Sequence, residues 1–444
     1  MSGRGFRLPG WSSVWFQVHW FIGITAGMVL MVVGFTGGLL SYQDEILRAL
    51  NPGVMTLTPR AEPPLAPSEL VRRIEAASGA RVTALGLSAA ADRPARAFLT
   101  PREAPAAGGR PRREVRLADP RDGALLGTPV GEGFFRTTRE LHRWLLAGPE
   151  GRVVVGVSTI ALVVLSATGL YLRWPRRVLS WRTWFRIDTR LRGRALLWRL
   201  HAVIGTWVLP LYLLAGLTGL YWSFDWYRGA LYDLTGAPRP GGEAGPPRAE
   251  GAAAAGSAAR GEGARGEGAR GEAGRGEGRA GGRGAVPAVD LDRAWAVFLR
   301  ERPDYATAQL RPGAPGAPLR ITYVEAGAAH EEARSNIAIN AAGDVVEHRR
   351  YADQPLGHRL MGSMLALHSG GYFGPLGTAL MMVASLAMSL FGVTGWLLYL
   401  GRRRMKRVAG AGRARRRPMG GGVGGDTMAK GVPAVGSCTG APLP

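Results

Sequence analysis

Residues 200–222 read LHAVIGTWVLPLYLLAGLTGLYW, an apolar run with no charged residue, opened by His201 and closing on a Thr-Gly pair. About 20 apolar residues are what a helix needs to cross roughly 30 Å of hydrocarbon. An ionisable group at the edge of such a run is costly to bury, so its presence asks for a reason. The reason depends on whether the chain repeats the arrangement. Residues 14–42, 151–174 and 375–400 are apolar runs of the same kind, which with residues 198–223 makes four candidate membrane helices. Trp15, Trp20, Trp174, Trp198 and Trp222 fall at their ends, as interfacial aromatic belts do. The competing reading, buried helices of a soluble protein, would have to produce such a run four times in one chain.

The net charge of +23 is almost wholly arginine, since Lys406 and Lys430 are the only lysines. Nine arginines against the single acid Asp188 occupy the connection from Arg173 to Arg199, and GRRRMKRVAGAGRARRR follows the fourth run with nine basic residues. Positive charge concentrated in short connections is a topology signal. It assigns residues 1–13, 175–197 and 401–444 to the cytoplasm and makes nucleic-acid binding an unneeded explanation. The first run is too long for a signal-peptide core and reads as a retained anchor. The lone Cys438 excludes internal disulfides, cysteine zinc sites and cysteine-bound iron–sulfur clusters.

The large connections 43–150 and 224–374 are then extracytoplasmic. Residues 241–285 of the second hold a Gly/Arg/Glu repeat with almost nothing to bury, the composition of a disordered linker. Its Gly261–Gly266 satisfies GxGxxG, but no strand precedes it and no apolar helix follows, so it is no dinucleotide site. Outside the linker the two connections read alike. PSELVRRIEAASGARVTALGL and VDLDRAWAVFLRERPDYATAQL each predict a helix and then a strand. VRLADPRDGALLG and IAINAAGDVVEH each predict strand, turn, strand. The expectation is two small α+β extracytoplasmic domains.

Each candidate membrane helix carries a Thr-Gly pair: Thr36-Gly37, Thr168-Gly169, Thr218-Gly219 and Thr394-Gly395. His19 lies 17 residues before Thr36, and His201 lies 17 before Thr218; His142 lies 26 before Thr168, and His368 lies 26 before Thr394. Gly148-Pro149 and Gly374-Pro375 sit at the same offset from the last two histidines. The helices therefore read as two tandem hairpins with two histidines each in register. A single histidine at a membrane edge is ordinarily an interfacial polar residue; four in register favour ligands. His19 and His201 begin the first and third helices at the cytoplasmic edge, while His142 and His368 precede the second and fourth at the outer edge. Facing histidines on different helices can supply both axial ligands of a b-type haem, giving two haems, one per leaflet. Thr36 and Thr218 stand about 25 Å up their helices from the inner histidines, at the level of the outer haem. Thr-Gly as plain helix–helix contact explains the pairs equally well. His330, His348 and His358 have no counterpart in the first copy and read as loop residues, with His358 the one nearest a site.

The pattern resembles the PepSY-associated transmembrane proteins, which include iron-regulated inner-membrane proteins and siderophore–iron reductases. The residues that carry it are His19 with GFTGGLL, LHRWLL, ATGLYLRWPRR, LHAVIG with GLTG, LHSGGYFG and GVTGWLLYLGRRR, spread over all four helices. The resemblance implies a di-haem protein of the bacterial inner membrane with PepSY-like periplasmic modules, reducing ferric iron or a ferric siderophore. It gives His19, His142, His201 and His368 the axial roles. The long Gly/Arg/Glu insertion departs from the family pattern.

Electrons would enter near His19 and His201 and leave near His142 and His368. Arg143 and Arg199 stand beside ligands as candidates for haem propionates. Gly370, Gly371 and Tyr372, in the glycine-rich stretch 369–374, are candidates for admitting and orienting a substrate. With no flavin or nicotinamide fingerprint, the donor must be a separate cytoplasmic reductase or a membrane quinol. The alternative function is a non-enzymatic PepSY anchor that binds peptides or restrains a protease or sensor. A metal-ion transporter is a weaker third reading, because the apolar cores contain no Asp or Glu to line an ion path.

Overall fold

Apolar runs of this length satisfy their backbone polar groups internally, so they fold as helices. A computed structural model describes residues 10–101, 114–175, 180–188, 190–239, 289–313 and 316–415. The linker 241–285 and Cys438 lie outside the described residues. The first run forms α1 (Trp11–Thr25) and α2 (Gly27–Leu40), bent by 60° at Ala26. The sequence predicts one membrane helix over residues 14–42, and the structure divides it in two. Gly23 and Gly27 flank the bend, and the Thr25 hydroxyl donates to Phe21 O at 2.9 Å, diverting a carbonyl of the ladder.

After α3 (Gln43–Leu50), Pro67 opens α4 (Pro67–Ser78) and Gly79 at φ 68° closes it. β1 (Arg81–Ser88), β2 (Ala95–Thr100) and β3 (Glu114–Ala118) follow as an antiparallel meander. The amphipathic α5 (Glu132–Trp144) then turns into the apolar α6 (Gly148–Arg173). The short α7 (Trp181–Phe185) leads to α8 (Gly193–Ser223).

The second half runs α9 (Asp225–Thr235), α10 (Leu291–Glu301), β4 (Tyr305–Arg311), β5 (Leu319–Glu325), β6 (Ser335–Ile339) and β7 (Val345–Arg349). Asp290 caps α10 by accepting from the backbone N–H of Asp292 and Arg293. α11 (Leu356–Gly362), α12 (Met364–Ser369) and α13 (Gly374–Arg415) end the described chain. α6, α8 and Gly371–Met405 are each long and apolar enough to cross a membrane, and α1 with α2 passes as a bent pair, so the candidate spans among the described residues number three, or four with that pair.

The strands do not form two domains. They make one seven-stranded antiparallel sheet in the order β3-β2-β1-β4-β5-β6-β7. The join is β1 on β4, with Leu85 opposite Leu310 and Ser88 opposite Thr307. Kept apart, the two meanders would each expose an edge of unpaired N–H and C=O groups, and pairing removes both edges. α4 packs Leu70 and Ile74 onto Val82, Leu85, Ala97 and Leu99, while α10 packs Phe298 and Val297 onto Leu310, Ile321, Tyr323 and Ile337. Leu87 touches both cores, and the Ser68 N–H donates to the Asp292 carboxylate at 2.8 Å, tying the helices together.

In the helical part, Leu30, Leu162, Val208, Tyr212 and Ala384 form the interior, with the Tyr212 hydroxyl donating to Ala384 O at 2.8 Å. Gly34 permits close approach there: a Cβ on it would stand 2.4 Å from Met388 Cβ. The chain divides into two compact units, residues 1–396 and 397–444. In the second, α13 continues through Arg415, so the basic segment from residue 401, whose composition reads as a disordered cytoplasmic tail over 401–444, is helical that far. Extending an existing helix needs no new nucleus, and Arg, Met, Lys and Ala are good helix formers. Arg403 lies over the Tyr399 ring at 5.7 Å within this unit.

Candidate functional site

The histidines meet in pairs. The ring centroids of His19 on α1 and His201 on α8 lie 6.5 Å apart. Those of His142 on α5 and His368 on α12 lie 6.3 Å apart. The second pair owes its placement to two Gly-Pro turns. Gly148 at φ 57° and Gly374 at φ 69° take left-handed conformations, and the following proline opens the apolar helix. Each turn lets a short helix carrying a histidine dock beside the long one. In the first copy Leu145 and Leu146 also lie at positive φ, 50° and 59°, which side chains rarely adopt.

Each of these four histidines touches the threonine of a Thr-Gly pair. His19 Nδ1 is 2.8 Å from Thr168 Oγ1, and His201 Nδ1 is 2.9 Å from Thr394 Oγ1. His142 Nδ1 is 3.2 Å from Thr36 Oγ1 and 2.9 Å from Val33 O. His368 Nδ1 is 3.1 Å from both Thr218 Oγ1 and Ala215 O. The glycines leave room for the rings: a Cβ would stand 3.0 Å from His142 Cε1 at Gly37 and 3.3 Å from His19 and His368 Cε1 at Gly169 and Gly219.

Thr36 and Thr218 therefore lie at the His142/His368 level. The sequence sets no level for Thr168 and Thr394, because the Gly-Pro turns spoil a simple count along the helix. The signal was nonetheless there. Thr168 follows His19 by 149 residues and Thr394 follows His201 by 193, a difference of 44 that also separates the 106 and 150 of the other two pairings.

Arg199 donates from Nε and Nη2 to Arg186 O, and Arg143 stacks on Trp144 at 4.7 Å. Arg173, which the sequence marks only as the start of the basic connection, donates from Nε to Thr206 Oγ1 at 3.0 Å. Gly370 marks a close approach of two backbones. It sits at φ 84°, and a Cβ there would stand 2.4 Å from Gly377 O, so two backbones cross at that point. A Cβ on Gly371 would meet only Ser369 Oγ, at 3.4 Å. Tyr372 is part-exposed and lies against His330 at 5.2 Å. His330 is buried, with Nε2 at 3.1 Å from Tyr351 Oη and Ser363 Oγ, and burial holds its pKa below the usual histidine value. His358 has no part in this network.

Chemically, each pair offers two imidazoles and no carboxylate or thiolate. Among the described residues no group of three or more His, Cys, Asp or Glu could hold a bare metal ion. A metal atom bonded on either side to an imidazole nitrogen at about 2 Å, with each ring centre roughly 1 Å beyond, sets the centroids roughly 6 Å apart. The two pairs have that separation. They suit a metal whose remaining positions a cofactor fills.

Apolar helices, with paired histidines on them and on the short helices docked beside them, joined to an antiparallel sheet, define a membrane protein with an appended sheet domain. The chain belongs to the PepSY-associated TM region family, whose sequence model matches residues 16–402. An uncharacterised protein of Pseudomonas aeruginosa is 42% identical over 83 residues, which are 18% of this chain and 19% of that relative. The chain thus matches about a fifth of the relative's length.

Proposed function

We propose that this chain is a di-haem b-type electron-transfer protein of the bacterial inner membrane, with four spans arranged as two tandem hairpins. It carries electrons outward to an extracytoplasmic acceptor, ferric iron or a ferric siderophore. The observation that carries the reading is the pair of histidine pairs, 6.5 and 6.3 Å between ring centres, built from different hairpins at two levels. His19 and His201 would hold one iron and His142 and His368 the other. Bound there, haem supplies reversible one-electron chemistry.

The chain's residues do the rest. Gly37, Gly169 and Gly219 make room for the imidazoles. Phe391 lies against His201 at 5.0 Å and against Tyr212 at 5.9 Å, filling the interior between the levels with aromatic side chains in place of water. Trp222 packs on His368 at 5.4 Å and shields the outer pair. The sheet lies between spans in the chain, on the side where His142 and His368 precede α6 and α13. Each ferric ion reduced takes one electron, drawn from a cytoplasmic reductase or a quinol.

Proteoliposomes with ferricyanide trapped inside and an impermeant reductant outside test this. Trapped ferricyanide is reduced by the wild type and is not reduced by His142→Ala; equal rates for both overturn the reading. A second reading rests on β7, the outermost strand of the sheet, whose Val345 and Val346 are 38% and 54% exposed. Such an edge can accept an extended peptide, the mode a PepSY anchor without haem would use.

A further inference from the structure

The four Thr–His contacts carry more than proximity. A hydroxyl has one proton to donate. In each threonine that proton is directed at the carbonyl one turn back in its own helix: Thr36 to Val32 O at 2.7 Å, Thr168 to Val164 O at 2.8 Å, Thr218 to Leu214 O at 2.6 Å and Thr394 to Leu390 O at 2.8 Å. Toward the imidazole the threonine oxygen offers only a lone pair. The second partners of the outer pair, Val33 O and Ala215 O, are carbonyls and likewise only accept. His142 and His368, each facing a carbonyl as well, must therefore donate from Nδ1; His19 and His201 do so when the threonine proton stays on its helix carbonyl, and a neutral imidazole that donates from Nδ1 keeps a bare lone pair on Nε2.

The arrangement has a definite wiring. Each threonine belongs to the same hairpin as the histidine it touches, α1 or α2 with α5 or α6, and α8 with α12 or α13. The two histidines of each pair come from different hairpins. Each hairpin thus orients its own two rings, and docking the hairpins brings finished rings face to face.

We propose that Thr36, Thr168, Thr218 and Thr394 are positioning residues that lock the four histidines in the Nδ1–H tautomer, leaving Nε2 ready for a metal before any arrives. The purpose of the lock rests on the haem reading; the lock itself does not. Outer partners of this kind typically govern affinity by 10–100-fold, as roughly the loss expected on removing one.

The test uses the full chain, labelled with ¹⁵N-histidine, purified from haem-starved cells, with ring resonances assigned by single His→Gln replacements. The proposal expects His19 and His201 to carry the proton on Nδ1 in the wild type. It expects Thr168→Val and Thr394→Val, which keep the shape and remove the acceptor, to shift their partner histidine toward the Nε2–H form. Thr168→Ser, which restores the hydroxyl, returns the wild-type pattern. After haem is supplied, the valine variants bind it about 10–100-fold more weakly than the serine variant. Protonated Nε2 in the wild type, or valine variants with unchanged tautomers, overturns the proposal. Protonated Nδ1 in a chain that never takes up haem upholds the lock and sinks the haem reading instead.

Discussion

Replacing Gly37, Gly169, Gly219 and Gly395 singly by alanine gives a graded perturbation whose order the structure sets. In a helix interior the exchange is favourable by about 0.8–1 kcal/mol on propensity alone. Against that stands the space each Cβ would enter. At Gly395 it meets nothing within 4 Å; at Gly169 and Gly219 it stands 3.3 Å from a histidine Cε1; at Gly37 it stands 3.0 Å from His142 Cε1 and 3.7 Å from Ser385 Oγ. Carbon atoms pack comfortably at about 3.5–4.0 Å. Overpacking a tight site costs about 1–3 kcal/mol. Gly395→Ala should then raise the stability of the haem-free protein by about 1 kcal/mol. Gly169→Ala and Gly219→Ala should fall near neutral, and Gly37→Ala should lose about 1–2 kcal/mol. Denaturant unfolding in detergent, followed by tryptophan fluorescence, measures the series. If Gly395→Ala is as damaging as Gly37→Ala, the glycines are helix-packing residues and do not serve the imidazoles.

Leu145 at φ 50° is strained by about 1–2 kcal/mol, so Leu145→Gly should raise the unfolding midpoint by relieving it; a lower midpoint would show that the side chain matters more than the backbone. Phe298 is fully buried among Trp295, Tyr305 and Tyr323. Phe298→Ala should destabilise the sheet by about 3–5 kcal/mol while leaving any haem spectrum unchanged, and loss of the spectrum would show the two parts fold as one. Burial depresses the pKa of His330 and His348 below the ordinary 6.5, so both stay neutral in the folded sheet. The unfolded chain binds the protons that the folded one refuses, so the stability they contribute is present above pH 6.5 and is lost as pH falls below it. His330→Gln should flatten that fall in a pH series of unfolding midpoints, and an unchanged slope counts against the assignment.

The helical part was legible because its signals are local or periodic. Apolar length, tryptophan at the ends and the recurring His and Thr-Gly intervals survive in one dimension. The level of Thr36 and Thr218 was legible but none of the Thr–His contacts was, and the levels of Thr168 and Thr394 escaped because Gly148 and Gly374 turn the chain, so distance along the sequence stops measuring height. The bend at Ala26 escaped because nothing between Gly23 and Gly27 breaks the hydrophobic run. The merged sheet escaped for a different reason. Leu85 and Leu310 are each plain strand residues, and only edge pairing across more than two hundred residues shows that their strands are neighbours. His330 read as an ordinary loop histidine because its partners Tyr351 and Ser363 come from separate elements.

The central claim is that the two histidine pairs each hold a haem. The most direct measurement is the absorbance spectrum of the detergent-purified full chain, oxidised and reduced, with haem quantified per chain, for the wild type and His201→Ala. The account predicts two b-type haems in the wild type and one in the variant, with the His142/His368 signal intact. A colourless wild type purified from haem-replete cells contradicts it.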